Sequence, residues 1–127
     1  MKKFLDLGLQ PLANSLLTKK NLKKKEKKFR LQLGFNPKNY LVSIINTVPK
    51  EKMFNEKYPY KSSESKTMRL SFKKLSQKIK KLYNPNRILE IGSNDGVFLK
   101  NFSRRNVIGV EPCNNLAKLT KKKGYKT

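Results

Sequence analysis

The chain has 127 residues, and lysine and arginine outnumber aspartate and glutamate by 31 to 8, which gives a formal net charge of +23. It has no histidine and one cysteine, Cys113, so it cannot form a histidine-based catalytic triad, an internal disulfide or a four-thiolate zinc site. No apolar run approaches the roughly 20 residues of a membrane-spanning helix, and we expect a cytoplasmic protein without a membrane partner.

The positive charge has two interpretations. A basic chain of this kind favours an anionic partner such as nucleic acid. However, nearly all of the charge is lysine, and the dense clusters are confined to residues 19–28, 73–81 and 121–126. Nucleic-acid binders typically use arginine for bidentate contacts and aromatic rings for stacking. We therefore favour a solvated lysine-rich surface and do not expect nucleic acid as a partner.

The first half of the chain predicts a small domain built around a β-hairpin. The signals are the period-two alternation of apolar residues and the turn residues between the two apolar runs. The predicted order is an apolar segment over residues 4–17, a basic loop over 18–28, a strand over 29–35, a turn over 36–39 and a return strand over 40–45. Residues 46–65 look irregular, and we place the end of this first domain at residue 65.

The second half of the chain predicts a βαβ unit. Residues 66–83 carry one apolar stripe at spacings of three and four, which predicts an amphipathic helix. The elements after it are a strand over 87–91, a glycine loop over 92–96, a helix over 97–105, a second strand over 107–111 and a further helix from 114 onwards. This order is typical of nucleotide-binding folds. The chain is therefore predicted to be α/β, with residues 66–127 beginning a Rossmann-like domain.

The glycine loop has an unusual charge. Its pattern Glu90-x-Gly92-x-Asn94-x-Gly96 places acids beside the loop, and residues 88–99 contain no lysine or arginine. Carboxylates oppose the binding of a pyrophosphate, which relies on backbone N–H groups and the positive end of a helix. S-adenosylmethionine fits better, because it carries a sulfonium, an ammonium group and ribose hydroxyls but no phosphate. Glycine at positions 92 and 96 would let the backbone approach such a ligand closely.

A second acid supports the same interpretation. Glu111 ends the next predicted strand, 21 positions after Glu90, where a carboxylate can accept hydrogen bonds from two ribose hydroxyls. A glycine loop after a strand can also be a simple turn. The combination of the loop, the acids and the Glu111-Pro112 strand end favours a cofactor site.

Four separated motifs resemble a known family. They are Asp6–Asn14, Tyr58–Ser65, Leu89–Gly96 and Gly109–Pro112. Together they closely resemble the S-adenosylmethionine-dependent C-methyltransferases that act on nucleotide-linked deoxysugars. The resemblance implies an N-terminal zinc-binding domain, a Rossmann-like class I methyltransferase domain and a C-terminal domain. It implies cofactor contacts at Glu90, Gly92, Asn94, Gly96 and Glu111, and we add Asp95, the acid of the same loop. It also places Tyr58 or Tyr60 near the sugar, although tyrosines buried at a domain seam would look the same.

The chain also departs from this family. The second cysteine pair of the zinc site falls on Asn36 and Asn39, and the first would precede residue 1, so we expect no bound metal. We expect a truncated methyltransferase domain with only two parallel strands, the third lying beyond Thr127. No catalytic residue is assigned, and we expect the chain to be inactive alone and to need a complementing C-terminal chain. The alternative function is a basic, noncatalytic binding module for an acidic partner such as nucleic acid.

Overall fold

The computed structural model describes residues 1–127, which divide into two compact units, Met1–Met53 and Phe54–Thr127. The division lies earlier than the predicted boundary at residue 65. The reason is that residues 58–63 make hydrogen bonds with residues of the second unit. For example, the Ser62 N–H donates to Asn94 Oδ1 over 2.8 Å. Residues 54–65, the later part of the stretch predicted to be irregular, therefore belong to the second unit.

The first unit is a three-stranded antiparallel sheet in the order β1-β2-β3. Its strands are β1 (Lys2–Pro11), β2 (Lys28–Asn36) and β3 (Leu41–Ile44), and a short helix, α1 (Lys50–Met53), follows them. The predicted hairpin is confirmed as β2 and β3. Strand β1 was not predicted, because Gly8 and Pro11 interrupt its apolar pattern. Both residues are accommodated at an edge, where a bulge absorbs the glycine and a proline costs no ladder bond.

A polar network on Asp6 holds the bulge of β1. The bulge lies between Asp6 and Leu9, and Gly8 within it has a φ of +71°. The Asp6 carboxylate accepts hydrogen bonds from the Gly8 N–H at 3.0 Å and from Arg30 Nη2 at 2.7 Å. The hydrogen bond from Arg30 holds the pKa of Asp6 well below its usual range. This sheet has almost no core, since Gly34 is the only buried residue among residues 1–53.

The second unit contains a long helix and a parallel sheet. Its elements are α2 (Lys66–Tyr83), β4 (Ile88–Ile91), β5 (Val107–Val110) and α3 (Asn114–Lys122), and β4 pairs with β5 in parallel. The helix predicted over 66–83 is confirmed with the same bounds. Its N-terminus is capped by Ser65 Oγ, which accepts from the Met68 N–H. The residue after its end, Asn84, adopts the left-handed conformation with a φ of +39° and caps the helix.

The helix predicted over 97–105 is wrong. Two 3-10 turns, Leu99–Asn101 and Arg104–Asn106, occupy this stretch. The side chain of Asn101 donates to the carbonyls of Val97 and Phe98, at 3.1 and 3.0 Å, and so competes with the backbone bonds of an α-helix. Val97 and Phe98 nevertheless face the core as predicted, and the Phe98 ring packs against that of Phe72 at 5.6 Å between centroids.

The parallel sheet has the two strands expected, and one further residue pairs with its edge through a single bridge. Lys126 forms a parallel bridge with Ile108, and the Gly109 N–H donates to the Lys126 carbonyl over 2.9 Å. Gly124, with a φ of +84°, follows α3 and turns the chain back toward the sheet. The bridge lies on the edge of β5 that is opposite β4, because Gly109 pairs with Glu90 on the other side.

The two faces of the parallel sheet differ in burial. One face carries Val107 and Gly109, and it packs against the core of the unit. That core consists of Val97, Phe98, Leu99, Val107, Cys113, Leu116 and Ala117. The opposite face carries four apolar side chains that are 41 to 81% exposed, namely Leu89, Ile91, Ile108 and Val110.

No helix of the chain has the length and apolar character needed to cross a membrane.

Candidate functional site

The candidate site lies at the carboxyl ends of β4 and β5. Glu90 lies near the end of β4, and Glu111 follows the last residue of β5. The loop of residues 92–96 follows β4 and is hydrogen-bonded to the end of β5. The Gly92 and Ser93 N–H groups both donate to the Val110 carbonyl, at 2.8 and 3.1 Å. Ligands of parallel α/β sheets bind at this end of the strands, where loops and helix N-termini converge.

Glu111 is fixed in place by two backbone groups. Its Oε2 accepts from the Asn94 N–H at 2.7 Å, and its Oε1 accepts from the Cys113 N–H at 2.9 Å. An ionised carboxylate can accept about four hydrogen bonds, so each oxygen keeps capacity for a further donor. The carboxylate is therefore oriented before any ligand arrives. Burial raises the pKa of the neighbouring Cys113 thiol to about 11, which leaves it protonated and without nucleophilic character at neutral pH.

Glu90 differs from Glu111 because it lacks this support. Its Oε2 is buried and has no hydrogen-bond partner. Burial, together with the nearby Glu111 carboxylate, raises the pKa of Glu90 to about 7. An unpartnered carboxylate beside a second carboxylate is an unfavourable arrangement that a cation or a strong donor would relieve.

The two glycines of the loop have different surroundings. Both adopt the left-handed backbone conformation, with a φ of +76° at Gly92 and +78° at Gly96. A Cβ on Gly92 would meet no atom within 4 Å, whereas one on Gly96 would lie 2.9 Å from Thr120 Cγ2. Gly92 therefore leaves the backbone open to a ligand, and Gly96 allows the loop to pack closely on α3.

Asn94 and Asp95 point toward residues 58–63 of their own unit, which we call the tyrosine segment. Asn94 Oδ1 accepts from the Ser62 N–H at 2.8 Å, and Asp95 Oδ1 accepts from the Ser63 N–H at 3.2 Å. Asp95 is only 2% exposed, and Lys123 Nζ lies 2.8 Å from its carbonyl oxygen. Both side chains thus anchor the tyrosine segment to the loop.

Tyr58 and Tyr60 are brought to the loop by these anchors. The Tyr58 carbonyl accepts from Asn115 Nδ2 at 2.8 Å, and the Tyr60 carbonyl accepts from Asn94 Nδ2 at 3.3 Å. Asn115 was missed by sequence reasoning, because a polar residue in the first turn of a helix gives no signal of a partner 57 positions away. Its Oδ1 is buried without a partner, as is Ser93 Oγ.

Asn36 and Asn39, at the positions of the expected cysteine pair, shape the turn between β2 and β3. Asn36 Oδ1 accepts from the Lys38 N–H at 3.0 Å, and Asn39 Oδ1 accepts from the Leu41 N–H at 3.2 Å. These are the short side-chain-to-backbone bonds of Asx turns. No group of three or more histidine, cysteine, aspartate or glutamate residues in the chain is placed to hold a metal ion.

The first unit contains a separate basic groove. A cavity of about 350 Å³ lies between the basic loop and β2. Its apolar wall consists of Leu12, Leu17 and Phe29, and lysines 24, 25, 27 and 52 line it together with Glu26. The ammonium group of Lys52 lies 5.3 Å from the centroid of the Phe29 ring, within the range of a cation–π contact.

The first unit of the chain is similar to a known protein family. A methyltransferase-associated family model, described as "Putative zinc binding domain", matches residues 1–54 of the 127. No curated protein matches the chain. The zinc that the description implies does not fit the donors present, because residues 1–54 contain neither cysteine nor histidine and Asp6 is held by Arg30. The N-terminal end of the chain is thus similar to a methyltransferase-associated domain, although it lacks the usual zinc ligands.

Proposed function

We propose that the chain is the N-terminal part of an S-adenosylmethionine-dependent C-methyltransferase that acts on a nucleotide-linked deoxysugar. Residues 66–127 then begin a Rossmann-like class I methyltransferase domain. The observation that carries the proposal is the juxtaposition of the unpartnered Glu90 carboxylate, the oriented Glu111 carboxylate and the open backbone at Gly92. The family match at residues 1–54 supports the same class of enzyme.

The charge of the site favours this cofactor over a dinucleotide. Two neighbouring carboxylates would repel a pyrophosphate, whereas they would attract the sulfonium and ammonium groups of S-adenosylmethionine. Glu111 would accept hydrogen bonds from the ribose hydroxyls, and Gly92 would allow the ligand to approach the backbone. When bound, the cofactor would supply the methyl group to be transferred.

Fewer residues are assigned to sugar binding than to cofactor binding. Tyr58 or Tyr60 would contact the sugar, and the bonds from Asn94 and Asn115 keep their segment beside the loop. Methylation at carbon requires a base that removes a proton next to a keto group. No residue of this chain is assigned that role, and we propose that the chain transfers no methyl group without a complementing C-terminal chain.

Calorimetry of S-adenosylmethionine binding tests the proposal. Glu111→Ala removes a charged acceptor of hydroxyl hydrogen bonds and should weaken binding by about 1.5–3 kcal/mol. Lys100→Ala is the control, because Lys100 is exposed and lies outside the site. Circular dichroism of each variant checks that the fold is retained. Equal affinities of the two variants would remove Glu111 from the site, and an absence of binding by the native chain would contradict the cofactor itself.

The basic groove supports one alternative function. Its lysines and its Phe29 wall would suit an acidic partner such as nucleic acid, bound by a noncatalytic module. The two functions differ in their response to salt. Binding of a polyanion should weaken steeply as the salt concentration rises, whereas binding of S-adenosylmethionine should change little.

A further inference from the structure

Asn94 lies at a junction of three parts of the second unit. Its backbone N–H donates to Glu111 Oε2 at 2.7 Å, and its carbonyl accepts from Thr120 Oγ1 of α3 at 3.2 Å. Its side chain reaches the tyrosine segment through Ser62 and Tyr60, at 2.8 and 3.3 Å. The residue holds a left-handed conformation with a φ of +49°, which asparagine tolerates better than most residues. One residue therefore links the end of β5, helix α3 and the tyrosine segment.

From this junction we propose that Asn94 is a positioning residue that couples occupation of the Glu111 site to the ordering of the tyrosine segment. The inference rests on the proposed function, since the ligand that contacts Glu111 is taken to be S-adenosylmethionine. It changes the role expected for Asn94 and Asp95 from direct cofactor contacts to anchors of the segment that would face the sugar.

The coupling follows from the hydrogen bonds of the junction. The Glu111 carboxylate is oriented by the Asn94 and Cys113 N–H groups, so a ligand that requires this orientation favours the conformation in which the Asn94 N–H bond is made. The side chain of Asn94 accepts from the Ser62 N–H through Oδ1, so the side-chain amide of Asn94 is held as well. Asp95 adds a parallel bond to the Ser63 N–H. Because coupling between two sites is reciprocal, an ordered tyrosine segment should also strengthen ligand binding.

The partial exposure of the segment makes such coupling measurable. Tyr60 is 44% exposed although Ser62 is buried, and the only helical structure of the segment is the 3-10 turn that begins at Ser62. Segments with few buried contacts open locally at low cost, so their amides exchange rapidly with solvent. The amides of Ser62 and Ser63 are bonded to the two junction side chains and therefore report directly on the anchors.

Hydrogen–deuterium exchange on the full chain tests the coupling, with and without S-adenosylmethionine at a concentration that calorimetry shows to be saturating. In the native chain, the ligand should slow exchange at Ser62 and Ser63 by roughly 5- to 150-fold, the usual range of coupling between sites. In Asn94→Gly this slowing should disappear at Ser62 and shrink at Ser63, whose N–H still donates to Asp95, while the amides of residues 92–96 remain protected by the ligand.

Two further variants make the result specific. Asn84→Gly is the matched control, because Asn84 is also left-handed and exposed but lies at the end of α2. It should behave as the native chain. Asn94→Asp keeps an acceptor for the Ser62 N–H and should restore part of the slowing. Protection of residues 92–96 without any slowing at Ser62 and Ser63 would overturn the coupling alone. An absence of binding would overturn the proposed function and the coupling together.

Discussion

The two units of the chain contrast in what stabilises them. Residues 1–53 form an antiparallel sheet in which Gly34 is the only buried residue, whereas residues 54–127 bury seven apolar side chains around a parallel sheet. The family match covers the first unit and the candidate cofactor site lies in the second. The part of the chain that is recognisable by similarity is thus not the part that contains the candidate site.

The contrast has a physical origin in the size of the first unit. A segment of about 50 residues buries too little surface for a large core, and small domains often compensate with a bound metal. Here the zinc ligands are absent, and the Asp6 network and the backbone ladder hold the sheet. We therefore expect apolar substitutions to be costly in the second unit and mild in the first.

The largest effect is expected from truncating a core residue. Leu116→Ala should lower the free energy of unfolding by about 2–5 kcal/mol, because the side chain is fully buried and would leave a cavity. Leu5→Ala in the first unit should cost less than about 1 kcal/mol, since Leu5 is 38% exposed. Urea unfolding followed by circular dichroism measures both. Similar losses in the two variants would contradict the contrast.

The two glycines of the loop are expected to differ, with an effect at Gly92 that is smaller than that at Leu116 and an effect at Gly96 that is comparable to it. Gly92→Ala and Gly96→Ala should each cost about 1–2 kcal/mol, because alanine is strained in the left-handed conformation. Gly96→Ala should cost about 1–3 kcal/mol more, since its Cβ would lie 2.9 Å from Thr120 Cγ2. The same unfolding measurement distinguishes them. A greater loss from Gly92→Ala would show that the space beside Gly92 is filled in the folded chain.

The pH dependence of stability tests the surroundings of Glu90. Its pKa rises from 4.5 to about 7 on folding, so the folded state holds the proton more tightly than the unfolded state does. The free energy of unfolding should therefore fall as the pH rises from about 4.5 to about 7. Glu90→Gln should remove this part of the pH dependence. Unfolding of both proteins by urea across that range gives the comparison, and parallel curves would place Glu90 in solvent.

The smallest expected effect is that of removing metal. Asn36 and Asn39 shape a turn and are poor zinc ligands, so a chelator should leave the urea midpoint of the first unit unchanged. Elemental analysis of the purified chain should find no stoichiometric zinc. One tightly bound zinc per chain, with a lower midpoint after chelation, would overturn the view that the first unit folds without a metal.

The sequence predicted the elements that depend on local periodicity. The apolar stripe of α2 and the turn residues between β2 and β3 act over a few positions, and both predictions were confirmed. The helix expected over 97–105 failed because its amphipathic pattern is overridden by one side chain, that of Asn101, which bonds the carbonyls that a helix would use. Strand β1 was missed because its bulges break the alternation of apolar residues.

The candidate site was only partly accessible to the same reasoning. The spacing of Glu90 and Glu111 predicted that two acids would lie at the ends of adjacent strands, because parallel strands bring those ends together. The directions of Asn94 and Asp95 depend on contacts with residues more than 30 positions away, which no local pattern encodes. The same limit applies to Asn115, whose partner Tyr58 lies 57 positions earlier.

The most direct test of the cofactor site is an amide NMR titration of the isotope-labelled chain with S-adenosylmethionine. We predict saturable shifts at Gly92, Gly96 and Cys113, no shifts among residues 1–53, and little change in affinity when the salt concentration is raised. Shifts confined to the lysine-lined groove of the first unit, lost at high salt, would contradict the assignment of the site to the glycine loop.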